Sequence, residues 1–404
     1  MRVTTAFNRL LAIPGASVTG IRFEQDAVVV CLRRRSRRLV CPRCGCIGQA
    51  GYDRRRRRWR HLDLGRVRCL LECELRRFPC RGCERIVSEG VPWARPGARF
   101  TRAFEDVVAW LAQQAAFSVI VRLMRLSWRS VGRIVRRVVG ERLPRLRLRE
   151  LRRIGIDEVS YRRGHRYLTL VCDHHSRAIV WAGQGRSART LERFFDELGP
   201  DAAKLEVVSL DLYPHYRRTV EARAPQARLC FDPFHVVALA NFALDTVRRQ
   251  EWQALRRSGV AARWLKQTRW SVLKRPERLS EQQSQTLAVL QRENARLYRA
   301  YLLKDQLRAL YQAAPRDAAV LLDAWLAWAS RSKLRPFVRL ARMLRRHKAG
   351  ILAAIELNLS NSRLEALNNN VRLISHRSVG FHSADPLIAL IYLCCGAVTV
   401  TLPT

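Results

Sequence analysis

The spacing of hydrophobic and polar positions changes along this chain, and the changes divide it. Up to about residue 95, apolar residues alternate in short runs such as RVRCLLECELRRF, Arg66 to Phe78, which predicts strands. After a Pro-rich break, VPWARPGARF, the period becomes helical from Thr101 to Val139. Thr101 is placed to cap a first helix that buries Phe104, Val107, Val108 and Leu111. A short second helix is expected from about Ser118 to Arg125, then a turn at Leu126 and Ser127. Ser127 caps a third helix with an apolar stripe of Val131, Ile134, Val135 and Val138. From Arg153 the strand pattern returns: RRIGIDEVSY, HRYLTLVCDHH and SRAIVWAGQG read as consecutive antiparallel strands, with His174, His175 and Ser176 turning the second hairpin. A helix at about Ala188 to Leu198, a strand LEVVSLD ending at Asp211, a helix from Pro214 and a strand ARLCFD ending at Asp232 follow. Long amphipathic patterns then fill 241–350, with Trp252, Trp264, Trp270, Trp325 and Trp328 among them as core residues more readily than as base-stacking platforms.

Charge changes the picture. The 404 residues carry 75 Lys+Arg against 34 Asp+Glu, a formal charge of +41, and six of those bases are lysines. An excess of this size draws a polyanion and makes binding salt-dependent. Arg-rich codon usage accounts for part of the arginine content, but not for the scarcity of acids. The longest apolar run, Leu387 to Val400, is too short to span a bilayer, and Met1 to Gly20 does not read as a signal peptide. A cytoplasmic protein is expected, so the twelve cysteines argue for metal or core packing rather than disulfides. Cys41-Pro-Arg-Cys44 and Cys80-Arg-Gly-Cys83 are two CxxC knuckles, the layout of a zinc ribbon holding one structural Zn²⁺. Cys46 is a weaker ligand candidate, and Cys31, Cys69 and Cys73 suit a β core.

Two arginine sets are candidates for DNA. Arg54, Arg55, Arg56, Arg57 and Arg58 read as a loop that grips the backbone, against the plain alternative of a solvated face. Arg129, Arg133, Arg136 and Arg137 lie off the apolar stripe of the third helix, as a recognition helix requires; a basic bundle that reads no sequence is the alternative.

Acidic residues carry the chemistry. Asp157 and Asp211 each close a strand-like run, where Asp is otherwise depleted, and Glu365 opens a helix in SNSRLEALNNN. Each has an ordinary reading: a strand-end charge satisfied by arginine for Asp157, a helix cap for Asp211, a capping box with Ser362 for Glu365. Together they make an oxygen-ligand set for divalent metal against phosphate. Glu158 is expected to face the other way from Asp157, and Asp173 to be a turn residue. Asp232 is read equally as a helix cap and as catalytic support; His235 is a candidate for positioning DNA or a metal-bound water. Asn368, Asn369 and Arg372 follow Glu365 and are candidates for DNA contact. Three antiparallel strands followed by parallel strands alternating with helices is the order of the ribonuclease H-like fold. The expectation is a multidomain chain: N-terminal segment and zinc ribbon at 1–95, helix-turn-helix domain at 96–141, basic linker at 142–153, and an α/β ribonuclease H-like core at 154–240 and 351–404, interrupted by an all-α insertion at 241–350.

GIDEVS, SLDLYPHY, FDPFHVV and SNSRLEALNN, behind CPRC…CRGC and the helix-turn-helix, together resemble bacterial insertion-sequence transposases of the DDE type, in the L-three insertion-sequence family. The resemblance covers essentially the whole chain, including HRSVGFHSADPLIALIYLCCG near its end. It implies Asp157, Asp211 and Glu365 as the catalytic triad holding two Mg²⁺ or Mn²⁺, with Asp232 and His235 as a D-x-x-H element. It implies double-stranded DNA as partner, both terminal inverted repeats and target, a homodimer or higher oligomer on that DNA, and work at the bacterial nucleoid. A transposase-derived DNA-binding regulator without catalysis is the alternative.

Overall fold

The computed structural model describes residues 1–403 apart from 163, 165, 213, 260–262, 360–361 and 378–382; within helices, the side chains of residues 263, 362–365 and 377 also lie outside the described residues. The chain forms two compact units, Met1–Pro144 with Ile374–Thr404, and Arg145–Leu373.

The first unit opens with α1 (Val3–Leu11), β1 (Ala16–Glu24), β2 (Ala27–Arg34), the short β3 (Leu39–Val40) and β4 (Ile47–Gly48), then β5 (Asp53–Arg60), β6 (Arg68–Cys80) and β7 (Arg85–Ser88). Its main sheet has the order β1-β2-β6-β5, and β7 extends the far end of β6. Alternation in β2 and β6 points Val28, Val30, Leu71 and Leu75 into one core with Trp59 and Trp93, whose rings meet edge to face at 5.7 Å. The arginine run therefore lies on a strand, β5, rather than on the expected loop.

Three helices follow: α2 (Arg102–Gln114), α3 (Phe117–Leu123) and α4 (Trp128–Arg142). Thr101 and Ser127 cap α2 and α4 as the sequence predicts, each accepting at 3.3 Å from the backbone N–H three residues on. Val131, Ile134, Val135, Val138 and Val139 form the buried stripe of α4. Arg125, with φ of +50°, makes the turn between α3 and α4. Its guanidinium pairs with Asp63 and donates to the Arg66 carbonyl at 3.2 Å, which fixes that turn to the ribbon.

A closing helix, α16 (Ala384–Cys395), belongs to this unit and packs on α2 and α4, so 351–404 does not belong as a whole to the strand core expected of it. Gln113 Nε2 donates to the Leu393 carbonyl at 2.8 Å and Arg142 Nη1 to that of Thr399 at 2.9 Å. The reason is burial: Leu387, Leu390, Ile391 and Leu393 leave that helix little polar surface, and a three-helix domain has an open apolar side for it.

The second unit begins inside the expected linker, whose Leu148 and Leu151 are buried in its core. Its strands are β8 (Arg153–Arg162), β9 (Arg166–Asp173), β10 (Ile179–Gln184), β11 (Val207–Leu210) and β12 (Arg228–Phe231), with α5 (Ala188–Leu198) and α6 (Pro214–Arg223) in the connections. The sheet order is β10-β9-β8-β11-β12; β8, β9 and β10 are antiparallel, while β11 runs parallel to both β8 and β12. Then come α7 (Pro233–Arg257), α8 (Arg263–Gln267), α9 (Arg269–Leu273), α10 (Glu281–Glu293), α11 (Ala295–Ala309), α12 (Pro315–Arg331), α13 (Arg335–Arg346), α14 (Lys348–Glu356) and α15 (Ser362–Arg377), with α16 (Ala384–Cys395) last.

The helical stretch expected at 241–350 has no seam at either end. Residue 241 falls inside α7, and residue 350 inside α14, where Gly350 lies so close to β12 that a Cβ there would meet the Phe231 ring at 2.5 Å. Sheet and helices share one apolar core, running from Ile156 and Val208 through Leu244 and Leu303 to Phe337 and Ile351. Trp325 is buried in it, with Nε1 donating to the Leu303 carbonyl at 2.8 Å; Trp252, Trp264 and Trp328 pack at its margin, and Trp270 is exposed. No described helix is long and apolar enough to cross a membrane.

Candidate active site

Three aspartates line one edge of the second unit's sheet. Ser209 of β11 stands opposite Gly155 of β8, and Leu210 opposite Phe231 of β12. Asp211 follows Leu210 directly, just past the end of β11, the strand that lies between β8, which carries Asp157, and β12, which Asp232 follows. The Asp232 N–H continues the ladder to the Leu210 carbonyl at 3.1 Å. Asp157 does not end its strand as the sequence suggested: β8 continues to Arg162 against β9. What ends is β11, at Leu210, and the missing neighbour opens room beside Asp157. Crevices beyond the carboxyl ends of parallel strands are where such sheets bind ligands.

Both oxygens of Asp157 are held. Oδ1 accepts from the Glu158 N–H at 2.7 Å, and Oδ2 accepts from Asn368 Nδ2 at 2.7 Å. Burial pushes the Asp157 carboxyl above its ordinary value, against the Glu158 N–H, His235, Asn368 and Arg372, all of which favour the charged form. Glu158 is raised further, to about 7, by burial first and then by the charge on Asp211, with Arg186 and Tyr216 opposing. The Tyr216 hydroxyl donates to Glu158 Oε2 at 3.4 Å and shares a 2.8 Å hydrogen bond with Thr169. Sequence reasoning set Glu158 aside as facing away, and singled out neither Tyr216 nor Thr169.

Asp232 caps α7: its Oδ1 accepts from the Phe234 N–H at 3.2 Å. One turn in, His235 Nε2 lies 3.8 Å from Asp232 Oδ2. From the other side, α15 brings Asn368 to Asp157. Asn368 is 5 % exposed, which removes it from the DNA-contacting surface expected of it. Asn369 and Arg372 are exposed, with Arg372 Nη1 donating to Asn369 Oδ1 at 3.2 Å. Glu365 is a residue of α15, three positions before Asn368; its side chain lies outside the described residues. Most of HRSVGFHS, residues 378–382, lies outside them as well. Asp173 accepts from the N–H groups of His175 and Ser176 at 3.1 and 2.9 Å, as a turn residue does.

In the ribbon, Cys41, Cys44, Cys80 and Cys83 converge, with all four Sγ atoms within 4.8 Å of one another. Cys41 and Cys83 are 3.7 Å apart, Cys44 and Cys80 3.4 Å, Cys44 and Cys83 3.6 Å. A tetrahedral zinc site with Zn–S near 2.3 Å has S–S edges of about 3.8 Å, so the donor set fits that ion. Gly45, with φ of +77°, turns the first knuckle and donates to the Cys41 carbonyl. Hydrogen bonds from the Cys46 backbone and the neighbouring thiols draw the Cys44 thiol down to about 6, so one ligand is poised to ionise. Cys46 is outside the four-sulfur group, while Cys69 and Cys73 are buried in the β core, with thiols pushed up to about 11 by burial.

The arginines divide. On β5, Arg54, Arg56 and Arg58 share one face and pair with Glu74 at 3.4 Å, Glu72 at 4.0 Å and Glu72 again at 2.7 Å. Arg57 donates to the Ala98 carbonyl at 2.7 Å and lies over Trp59, while Arg55 is exposed. On α4, Arg129, Arg133 and Arg136 are exposed. Arg137 is not part of that front: its Nε donates at 2.8 Å to Glu105, a fully buried carboxylate that also receives Arg95 at 3.2 Å.

The comparisons follow the same division. Residues 37–83 match a family profile described as the zinc-finger of transposase IS204/IS1001/IS1096/IS1165. Residues 89–139 match the helix-turn-helix domain of transposase family ISL3, and residues 154–391 the DDE-type transposase profile of that family. The whole chain is 41% identical over 435 aligned positions to the transposase for insertion sequence element IS1557 of Mycobacterium tuberculosis, covering 98% of it. Over 377 positions, 92% of this chain and 93% of the relative, it is 28% identical to the transposase for insertion sequence element IS1001 of Bordetella parapertussis.

Proposed function

The chain belongs to the ISL3 family of transposases, and from that we propose that it binds the terminal inverted repeats of an insertion sequence and cuts and joins DNA there, using Asp157, Asp211 and Glu365. The observation that carries the proposal is that Asp157 lies on β8 and Asp211 directly follows the neighbouring parallel strand β11, with the helix of Glu365 hydrogen-bonded onto Asp157 through Asn368. The strand order, three antiparallel strands flanked by two parallel ones, supports a ribonuclease H-like core, with α7 to α14 as its helical elaboration.

The donor set suits hard divalent cations. Carboxylate oxygens are the preferred ligands of Mg²⁺ and Mn²⁺. Burial raises the Asp157 carboxyl, and burial with the charges of Asp211 and Asp157 raises that of Glu158, a cost of negative charge that a cation would offset. We assign Asp157, Asp211 and Glu365 to hold two such ions. When bound, they supply Lewis-acid activation of the attacking oxygen and neutralise charge on the leaving one. The chain's residues do the rest. Asp232 fixes the start of α7, and His235 holds an imidazole near enough to act on the Asp157 charge. Arg129, Arg133 and Arg136 on α4 face the terminal repeat as a reading front, while the exposed Arg55 and Arg54, the latter exchanging the exposed Glu74 for phosphate, hold the backbone. Arg372 and Asn369 extend a polar surface from α15 beside the site. Four thiolates hold a structural Zn²⁺ in the ribbon. Cleavage leaves a 3′-hydroxyl, which then attacks a phosphodiester of target DNA at the same carboxylates, forming one new P–O bond as the target strand's own 3′-oxygen departs. Two ends must be held together, so a homodimer or larger assembly on DNA is proposed, in the bacterial cytoplasm where the chromosome lies.

The test uses the purified full chain and duplexes carrying the DNA that borders its gene. With Mg²⁺ or Mn²⁺, nicks should fall at the border of the inverted repeat, and a shuffled duplex should stay intact. Specific binding with no cutting in either metal would instead establish a DNA-binding regulator.

A further inference from the structure

Asn368 occupies an unfavourable place for its type. Asparagine is a poor helix former, yet this one sits inside α15 and is 5 % exposed. Its Nδ2 donates to Asp157 Oδ2 at 2.7 Å, a short contact of the charge-assisted kind. Its Oδ1 is buried and accepts no hydrogen bond among the described residues. An unpaired buried acceptor calls for an explanation. The amide cannot turn over to relieve it, because Oδ1 would then press against a carboxylate oxygen.

The contact constrains two things. Asp157 Oδ1 is already fixed by the Glu158 N–H, so a second donor on Oδ2 stops the carboxylate rotating about its last bond. Each oxygen still has a lone pair for an ion. Asn368 also comes from the helix that carries Glu365 one turn earlier, so the same bond sets the register of α15 against β8. We propose that Asn368 is a positioning residue: it orients the Asp157 carboxylate for divalent metal and ties the helix of Glu365 to the strand of Asp157, without itself touching metal or DNA. This rests on the assignment of Asp157 and Glu365 as metal-binding carboxylates.

The experiment is Mn²⁺ binding to the full-length protein, followed by electron paramagnetic resonance, with cleavage measured across a Mn²⁺ series. Asn368→Leu keeps the volume and removes the donor; Asn368→Ala is the second variant in case the first packs badly. Each should bind terminal-repeat DNA as wild type does. Mn²⁺ affinity should fall about 10- to 100-fold, the loss typical when an outer partner of a metal ligand is removed. The half-saturating Mn²⁺ for cleavage should rise in parallel, while the rate at saturating Mn²⁺ recovers to within about threefold of wild type. A purely structural residue would lower thermal stability and the cleavage rate without moving the Mn²⁺ dependence, and that outcome overturns the proposal. So does lost DNA binding with unchanged Mn²⁺ affinity, which would make Asn368 a DNA contact. If wild type and Asp157→Asn bind Mn²⁺ alike, the carboxylate assignment itself fails, and this proposal falls with it.

Discussion

Glu158 follows Asp157 on β8, and alternation alone sends it to the far face of the sheet. Its carboxyl is nevertheless held at about 7 by burial and the nearby Asp211 charge, against an ordinary value of 4.5. The sign follows directly. Below 4.5 the group is protonated in both states and costs nothing. Between 4.5 and 7 the unfolded chain ionises while the folded one keeps its proton, so stability falls as pH rises through that window and levels off above it. Metal-free Glu158→Gln should lose this part of the slope and be more stable than wild type at pH 8, measured by thermal unfolding from pH 4 to 9. An unchanged slope would show that Glu158 is better solvated than its surroundings suggest. Arg137 makes a second case. It resembles Arg133 and Arg136 in sequence, yet it bonds the buried Glu105. Arg137→Ala should cost about 1–3 kcal/mol of stability, because a buried charge loses a partner, and leave repeat-versus-random discrimination intact. Arg129→Ala and Arg133→Ala should do the reverse, losing about 1–3 kcal/mol of discrimination if each reads a base. Chemical denaturation and competition binding on the four proteins separate the two behaviours.

Elements were legible where the information is local. Thr101 and Ser127 mark helix starts because a hydroxyl must meet the orphan N–H groups three residues on, and the α4 stripe is visible because a helix repeats every 3.6 residues. The four ribbon cysteines were legible from spacing alone. What the sequence hid depends on partners far along the chain. Asp157 gains its open side because β11 is short, and nothing near Asp157 records the length of β11. The apolar α16 announces burial but not the surface that buries it, and that surface proved to be α2 and α4. The run Arg54 to Arg58 reads as a charged loop until β6 supplies Glu72 and Glu74 opposite it. For the ribbon, removing Zn²⁺ with a chelator, or one ligand with Cys44→Ser, should unfold β3, β4 and the knuckles, because metal binding and folding of such modules are coupled. Elemental analysis should find one zinc per chain in wild type and less in the variant; a metal-free wild type with a folded ribbon would contradict the assignment.

For the whole molecule, one claim matters most. A chain with a formal charge of +41 and two arginine-bearing elements in its first unit binds DNA under almost any account, so binding alone decides little. The claim is that Asp157 on β8 and Asp211 just past the neighbouring β11 act with Glu365 on α15 as one metal-dependent cutting site. The direct measurement is strand cleavage and strand transfer in Mg²⁺ by wild type, Asp157→Asn, Asp211→Asn, Glu365→Gln and the triple variant, with terminal-repeat binding measured on the same preparations. All five should bind alike. Only wild type should cut and join, and the triple variant should be no worse than any single one, since residues acting as a unit do not add their losses. If Glu365→Gln cuts at the wild-type rate, or if the three losses multiply, these carboxylates are not one site.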